Sequence, residues 1–284
     1  MTRAERIRRF FLSPGFSVIV GAAALTVMAL RSPGPEGWLA TLLTAGIAAL
    51  MVYSIKARAL FRGPNFPFAA LFPALQAVSI PSLTGTLVAL VAMWALMVDF
   101  VNFHNRDNTR PLFWLYLICG LGALGDRSFA LLGAALLVPA ILVHYLSARG
   151  TVAALLGFIT PAILAIGFGL YDPRRLPAMY LPEWLPGFAP VPLALGALAL
   201  LSALLTFWPS YGYPAKMRAR NMAVIGLAAA LCALPSLDSA DAAELLPALN
   251  LCAAYNLAHY SVLGRATWVT VLLVAAGAAT LLLI

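Results

Sequence analysis

Ten acids in a chain of 284 residues leave few groups able to do chemistry, and most of them stand at the ends of apolar runs. Asp126 and Arg127 are adjacent in GDRS, Asp238 and Asp241 share SLDSADAAE, and Arg174 and Arg175 are paired in YDPRRLP. Carboxylates in such places are candidates for a general base or a metal ligand. An arginine pair suits bidentate capture of phosphate or carboxylate. A second set, Asp99, His144 and His259, lies within or at the ends of apolar stretches. Ionisable groups there are costly unless paired or wet, and they mark ion or proton routes.

Each candidate has a plainer explanation. Asp126 is placed to cap a returning helix, Ser239 or Asp241 to cap a later one, and Glu244 suits a first helical turn. The stretch HNRDNTRP at 104–111 reads as a tight turn, with Asp107 beside Arg106 and Arg110, and with Pro111 opening the next helix. The pairs His144-Tyr145 and His259-Tyr260 suit the headgroup belt as polar anchors. Asp99 is harder to dismiss, because it falls about one turn before the expected end of its helix.

The elements that position these groups follow from composition. With 63% hydrophobic and 10% charged residues and a mean hydropathy of +0.93, the chain lies far outside the soluble range. Apolar runs bounded by charge, Gly or Pro predict helices near 12–30, 37–54, 66–80, 83–103, 111–124, 129–146, 151–170, 189–207, 220–235, 244–262 and 266–284. The fold expected is an all-α polytopic transmembrane helix bundle of about 9–11 segments in a single domain, 1–284. The third, fifth and ninth runs are shorter than the ~17 residues of a minimal crossing and predict half-helices or buried segments.

Charge supplies an independent check. With the N-terminus cytoplasmic, 14 of the 18 Lys and Arg residues fall at inner helix ends, and only Arg31, Arg127, Arg174 and Arg175 are outside. That is the positive-inside asymmetry, so the net charge of +8 needs no nucleic acid to explain it. The N-terminal run lacks a small-x-small cleavage site and is read as a retained helix. Seven of the ten acids fall outside.

Two stretches, 110–170 and 220–284, share an order of events: outward helix, acidic turn, returning helix ending in His-Tyr, then a third helix after Gly and Arg. They suggest a parallel three-helix repeat, a mode of transporter construction. Between them, 171–192 is the one long loop, rich in proline and carrying Tyr180 and Trp184, suited to lie on the outer interface as a cover or lid.

Absences narrow the field. Cys119, Cys232 and Cys252 lie in apolar runs without metal-ligand spacing, so no disulfide framework and no metal are expected. Neither Lys56 nor Lys216 is mid-span, and no Walker loop, Gly-x-Ser-x-Gly, HExxH or Rossmann fingerprint occurs, so no cofactor is expected. Gln76, Asn250 and Asn256 are intramembrane polar residues. The two Asn project about 120° apart and read as separate interhelical contacts rather than one binding stripe.

The run TGTLVALVAMWALMVDFVNFHNRDNTRPLFWLYLICGLGALGDRSFALLGAALLVPAIL, with LLPALNLCAAYNLAHYSVLGRATW, resembles an uncharacterised family of multi-pass inner-membrane proteins of Bacteroidota. The resemblance implies a bacterial inner-membrane location and assigns no residue roles. A fainter similarity is to membrane glycosyltransferases that use polyprenyl-phosphate sugars. They place acids and arginines at outer helix ends under an interfacial loop. This chain departs from them in having only Glu36 in its first outer loop.

Three functional expectations follow. The first is binding or processing of a lipid-linked envelope precursor at the outer leaflet, with Arg127, Arg174 and Arg175 holding phosphate and Asp126, Asp238 or Asp241 as base. The second is secondary transport through Asp99, His144 and His259. The third is a non-catalytic subunit that packs against a membrane protein partner and lipids.

Overall fold

The computed structural model describes residues 10, 13–57, 66–99, 109–143, 146–170, 190–234 and 242–263. Among these residues the chain forms ten α-helices and no strand. In order they are α1 (Pro14–Arg31), α2 (Pro35–Ala57), α3 (Pro67–Ser79), α4 (Leu83–Trp94), α5 (Arg110–Ala123), α6 (Ser128–Leu142), α7 (Ala148–Gly167), α8 (Pro190–Ser210), α9 (Ala215–Ala233) and α10 (Ala242–Leu263). The chain is an all-α membrane protein, with α1, α2, α7 and α8 long and apolar enough to cross a bilayer.

Helix starts obey local chemistry. Ser13, Ser82 and Ser147 precede α1, α4 and α7, and each hydroxyl accepts a backbone N–H of the first turn, from Phe16 at 3.3 Å, Gly85 at 2.9 Å and Gly150 at 3.1 Å. These bonds satisfy donors that an α-helix leaves open at its N-terminus. Proline stands first in α1, α2, α3 and α8, where its missing N–H costs nothing.

The bundle is organised around α10. Every residue from Leu245 to His259 is buried, and the helix packs against α3, α4, α8 and α9. A helix apolar on all sides is covered on all sides. By contrast, α7 shows Val152, Leu155, Leu156, Ile159 and Ile163 on its exposed face, the surface a lipid-facing helix presents.

Close approaches are made where side chains are missing. Helices α5 and α7 share the most extensive contact in the bundle. A Cβ on Gly120 of α5 would run into the Phe158 carbonyl of α7, and one on Gly157 into the Phe113 carbonyl of α5. Small residues let helix backbones touch where hydrophobicity cannot drive association. In the same way, a Cβ on Gly21 of α1 would lie 2.5 Å from the Ala69 carbonyl oxygen of α3. Pro73 has no N–H to offer that carbonyl, so α1 packs closely over a loosened part of the α3 ladder.

The first ten expected segments appear within a few residues of their expected ends, and the eleventh, 266–284, lies outside the described residues. The short third segment is a helix of 13 residues, buried over nearly its whole length. At ~1.5 Å per residue it reaches about 20 Å, less than the ~30 Å hydrocarbon core. Two boundaries differ. Helix α9 begins at Ala215 rather than near 220 and has 19 residues, because KMRA is built of good helix formers whose charge lowers hydropathy without breaking the helix. The fourth segment does not continue as one α-helix, for Ala95–Asp99 is a π-helical turn.

Of the two proposed repeats, the hairpins α5–α6 and α9–α10 are described and the third helix of the second is not. The returning helices sit differently. Helix α10 is central, whereas α6 exposes Val138, Ile141 and Leu142.

Candidate functional site

Polar side chains in the core gather at the two ends of α10, and the two gatherings differ in chemistry. At its N-terminal end Gln76, Ser79 and Asn250 bind α3 to α10. The Asn250 amide nitrogen reaches the Leu75 carbonyl at 3.3 Å, Gln76 Oε1 at 3.3 Å and Ser79 Oγ at 3.1 Å. In return the Gln76 amide donates to the Pro247 carbonyl at 3.3 Å. One turn toward the end, the Ser82 hydroxyl donates to Glu244 while also capping α4. Gly85 makes room for this, since a Cβ there would lie 3.1 Å from the Glu244 carboxylate. The carboxylate thus stands at the N-termini of α4 and α10 together, where helix dipoles favour negative charge.

At the C-terminal end of α10 the groups come from α8, α9, α10 and the turn between α8 and α9. The Tyr255 hydroxyl donates to Asn221 Oδ1 at 3.0 Å. The Asn221 amide nitrogen lies 3.4 Å from His259 Nε2 and 3.5 Å from Ser210 Oγ. Tyr213 Oη is 3.1 Å from the same imidazole nitrogen, and its ring meets the imidazole edge-on. Arg220, only 7% exposed, lies near enough for its charge to act on the Tyr255 phenol. Residues 255 and 259 share a helical face because they are four apart, and Arg220 and Asn221 meet them from α9.

This second gathering is rich in donors and carries a permanent cation. A guanidinium with hydroxyl, amide and imidazole neighbours is a donor set suited to a carboxylate or phosphate. The π-helical turn Ala95–Asp99 packs against α9, the helix that carries Arg220. Single π turns in α-helices recur at functional sites.

The residues singled out in the sequence are distributed as follows. Asp126 Oδ1 accepts the Ser128 backbone N–H at 2.8 Å and its hydroxyl at 2.6 Å, closing the turn into α6. Arg127 follows it at the entry to α6. His259 is buried at 3% exposure and belongs to the second gathering. Asp99 ends the π turn, and its side chain lies outside the described residues, as do Asp238, Asp241, Arg174, Arg175 and His144 entirely. Asn250 faces α3, while Asn256 accepts from Thr206 of α8 at 3.3 Å, so the two amides serve different neighbours. Among the described residues no three His, Cys, Asp or Glu side chains gather as a metal site.

Arg220, Asn221, Tyr213 and Tyr255 were not anticipated as a group. Arg220 reads in the sequence as one of many inner-end bases, and nothing local separates it from exposed Arg218. The available signal was the spacing of Tyr255 and His259, which puts an aromatic hydroxyl and an imidazole on one face of an apolar helix.

Comparison of the chain with family models, with curated proteins and with solved structures finds no match in any of the three.

Proposed function

We propose that the chain is a multi-pass inner-membrane protein that binds an anionic group at the Arg220 end of α10, as a secondary carrier of a small anionic solute does. The observation that carries this reading is the burial of Arg220, next along α9 to Asn221, on which Tyr255 and His259 of α10 converge. Arginine at the centre of a membrane helix costs ~2.5–3.5 kcal/mol on insertion scales and less toward the ends; Arg220 stands in the second turn of α9, and a buried ionisable residue of a membrane helix is read as a functional site by default. Helix cohesion alone does not call for a buried charge. The Gln76–Ser79–Asn250 contact joins helices with neutral groups only.

The test uses the full chain in nanodiscs, with inorganic phosphate and succinate as probes at matched ionic strength. A saturable rise in melting temperature with one anion, absent in Arg220→Gln and partly retained in Arg220→Lys, supports the reading. Equal response of the wild type to chloride and to both probes rejects it.

A second reading places the ligand at the opposite end, as a lipid-linked envelope precursor in the outer leaflet. It is favoured by Asp126 and Arg127 standing together at the entry to α6, and by the Arg174–Arg175 pair in the proline-rich stretch 171–192 of the sequence. Native mass spectrometry separates the two. A polyprenyl phosphate that co-purifies and is lost on Arg174→Ala with Arg175→Ala supports the lipid-linked ligand. A stoichiometric protein partner with bulk phospholipid alone makes the chain a structural subunit.

A further inference from the structure

The hydrogen bonds at the C-terminal end of α10 agree with one another in only one sense. Ser210 Oγ donates to the Thr206 carbonyl at 2.6 Å and so faces Asn221 as an acceptor, while the Tyr255 hydroxyl faces it as a donor. Asn221 therefore turns its oxygen to Tyr255 and its NH2 to Ser210 and to His259 Nε2, 3.4 Å away. An NH2 group has nothing to accept with, so Nε2 is the bare nitrogen of a neutral imidazole and the ring hydrogen is on Nδ1. Tyr213 Oη, 3.1 Å from Nε2, is a second donor to it.

One proton reverses this pattern. With hydrogen on Nε2, the imidazolium and the Asn221 NH2 are two donors face to face, both buried, at 3% and 1% exposure. The amide relieves the conflict by turning over, which gives its oxygen to Nε2–H and its NH2 to Tyr255 Oη. The other partners, Ser210, Tyr213 and Tyr255, are hydroxyls, and a hydroxyl donates or accepts by rotating its hydrogen. The cluster thus closes in two ways that differ by one proton. A route for that proton is Tyr213, half-buried in the turn between α8 and α9 with exposed Gly212 and Pro214 on either side.

We propose that His259 is a proton-binding site, and that proton uptake on Nε2 turns the Asn221 amide over and withdraws it as an acceptor from the Tyr255 hydroxyl. Apart from α9, the helices packed against α10 are α3, α4, α6 and α8, and none of them carries an ionisable side chain. The groups that meet the new charge are Tyr213 of the turn, Tyr255 and Tyr260 of α10, and Arg218 and Arg220 of α9; the side chains of Asp99 and Lys216 lie outside the described residues. Because the Arg220 charge already acts on Tyr255, the imidazolium adds a second positive charge to this end of α10. Coupling of that proton to an anion rests on the reading given above, whereas the proton site does not.

The experiment is 15N solid-state NMR of the full chain in lipid bilayers, labelled in the histidine rings and asparagine amides and titrated over about pH 4 to 8. The two signals are assigned by their loss in His259→Gln and in Asn221→Ser. Expected at the alkaline end is a neutral ring with bare Nε2 and a nitrogen–nitrogen contact to the Asn221 amide. On acidification the ring becomes doubly protonated, and the contact fades with the same midpoint. Hydrogen on Nε2 in the neutral ring, no protonation anywhere in the range, or a contact that survives protonation overturns the proposal. Sulfate, whose charge is constant over this range, separates the proton site from the anion reading in the wild type alone. With both in place, sulfate binding takes up a proton and its affinity falls about tenfold per pH unit above the midpoint. Affinity independent of pH overturns the coupling, and a titrating ring without sulfate binding supports the proton site while rejecting the anion.

Discussion

The contact between Tyr255 and Asn221 gives the sharpest test of whether the C-terminal end of α10 is a connected cluster. Asn221→Leu removes the acceptor of the Tyr255 hydroxyl at 3.0 Å and the amide's approaches to Ser210 and His259 at 3.5 and 3.4 Å. Interhelical hydrogen bonds in membranes average ~0.6 kcal/mol with a maximum near 1.7. Three of them make the loss about 2 kcal/mol, and stranding a buried hydroxyl adds about 1 kcal/mol more. Tyr255→Phe alone removes one such bond, about 0.6 kcal/mol. In Asn221→Leu with Tyr255→Phe the hydroxyl is no longer stranded and the shared bond is lost only once, so the double variant is less destabilised than the sum of the singles by about 1.6 kcal/mol. Reversible unfolding by SDS titration in bicelles measures all four corners of the cycle. Additivity within ~0.3 kcal/mol means that the two side chains do not interact, and the cluster built on their contact would have to be abandoned.

Other outcomes follow from the same packing. Gly120→Val and Gly157→Val drive side-chain atoms into the Phe158 and Phe113 carbonyls, and each should destabilise by ~1–3 kcal/mol or more. Gly46→Val, at a position open for 4 Å around, should melt close to the wild type. Ser82→Ala removes both the α4 cap and the bond to Glu244 and should cost ~0.5–2 kcal/mol in melting experiments. Asp126→Asn keeps an acceptor for the Ser128 N–H and should accumulate normally. If it also abolishes whatever activity is found, the carboxylate's charge matters beyond the turn.

Much of the bundle was legible because its signals are local. Apolar runs bounded by charge, Gly or Pro place the starts of α1, α4 and α7 within a few residues. The third run, expected as a half-helix or a buried segment, is a buried helix of 13 residues, whereas the ninth, expected to be as short, has 19. What escaped were features set by neighbours. The start of α9 hid because hydropathy measures partition into lipid and not helix formation. The π turn at Ala95–Asp99 has no sequence signature among apolar residues. The burial of Arg220 and His259 depends on which helices flank α10, and that cannot be deduced from α9 or α10 alone. The separation of Asn250 from Asn256 was legible, since angular offset on a helix is fixed by its geometry.

The asymmetry along α10 bears on function more than any single residue does. A central helix covered on every side must satisfy its polar groups with partners from several neighbours, so each polar residue on it also fixes which helices lie beside it. At the Asn250 end the partners are uncharged until Glu244, and the carboxylate is held by Ser82 where two helix N-termini meet. At the His259 end two phenols, an amide and an imidazole are hydrogen-bonded together, and the buried Arg220 stands beside that amide on α9. An anionic ligand suits the C-terminal end, where it is drawn to the donors around Arg220. Charge neutralisation tests this: Arg220→Gln should abolish anion-dependent melting, and Glu244→Gln, at the other end, should leave it intact. Loss of the anion response in both variants would mean that the two ends act as one structural unit and that the response does not report a local site.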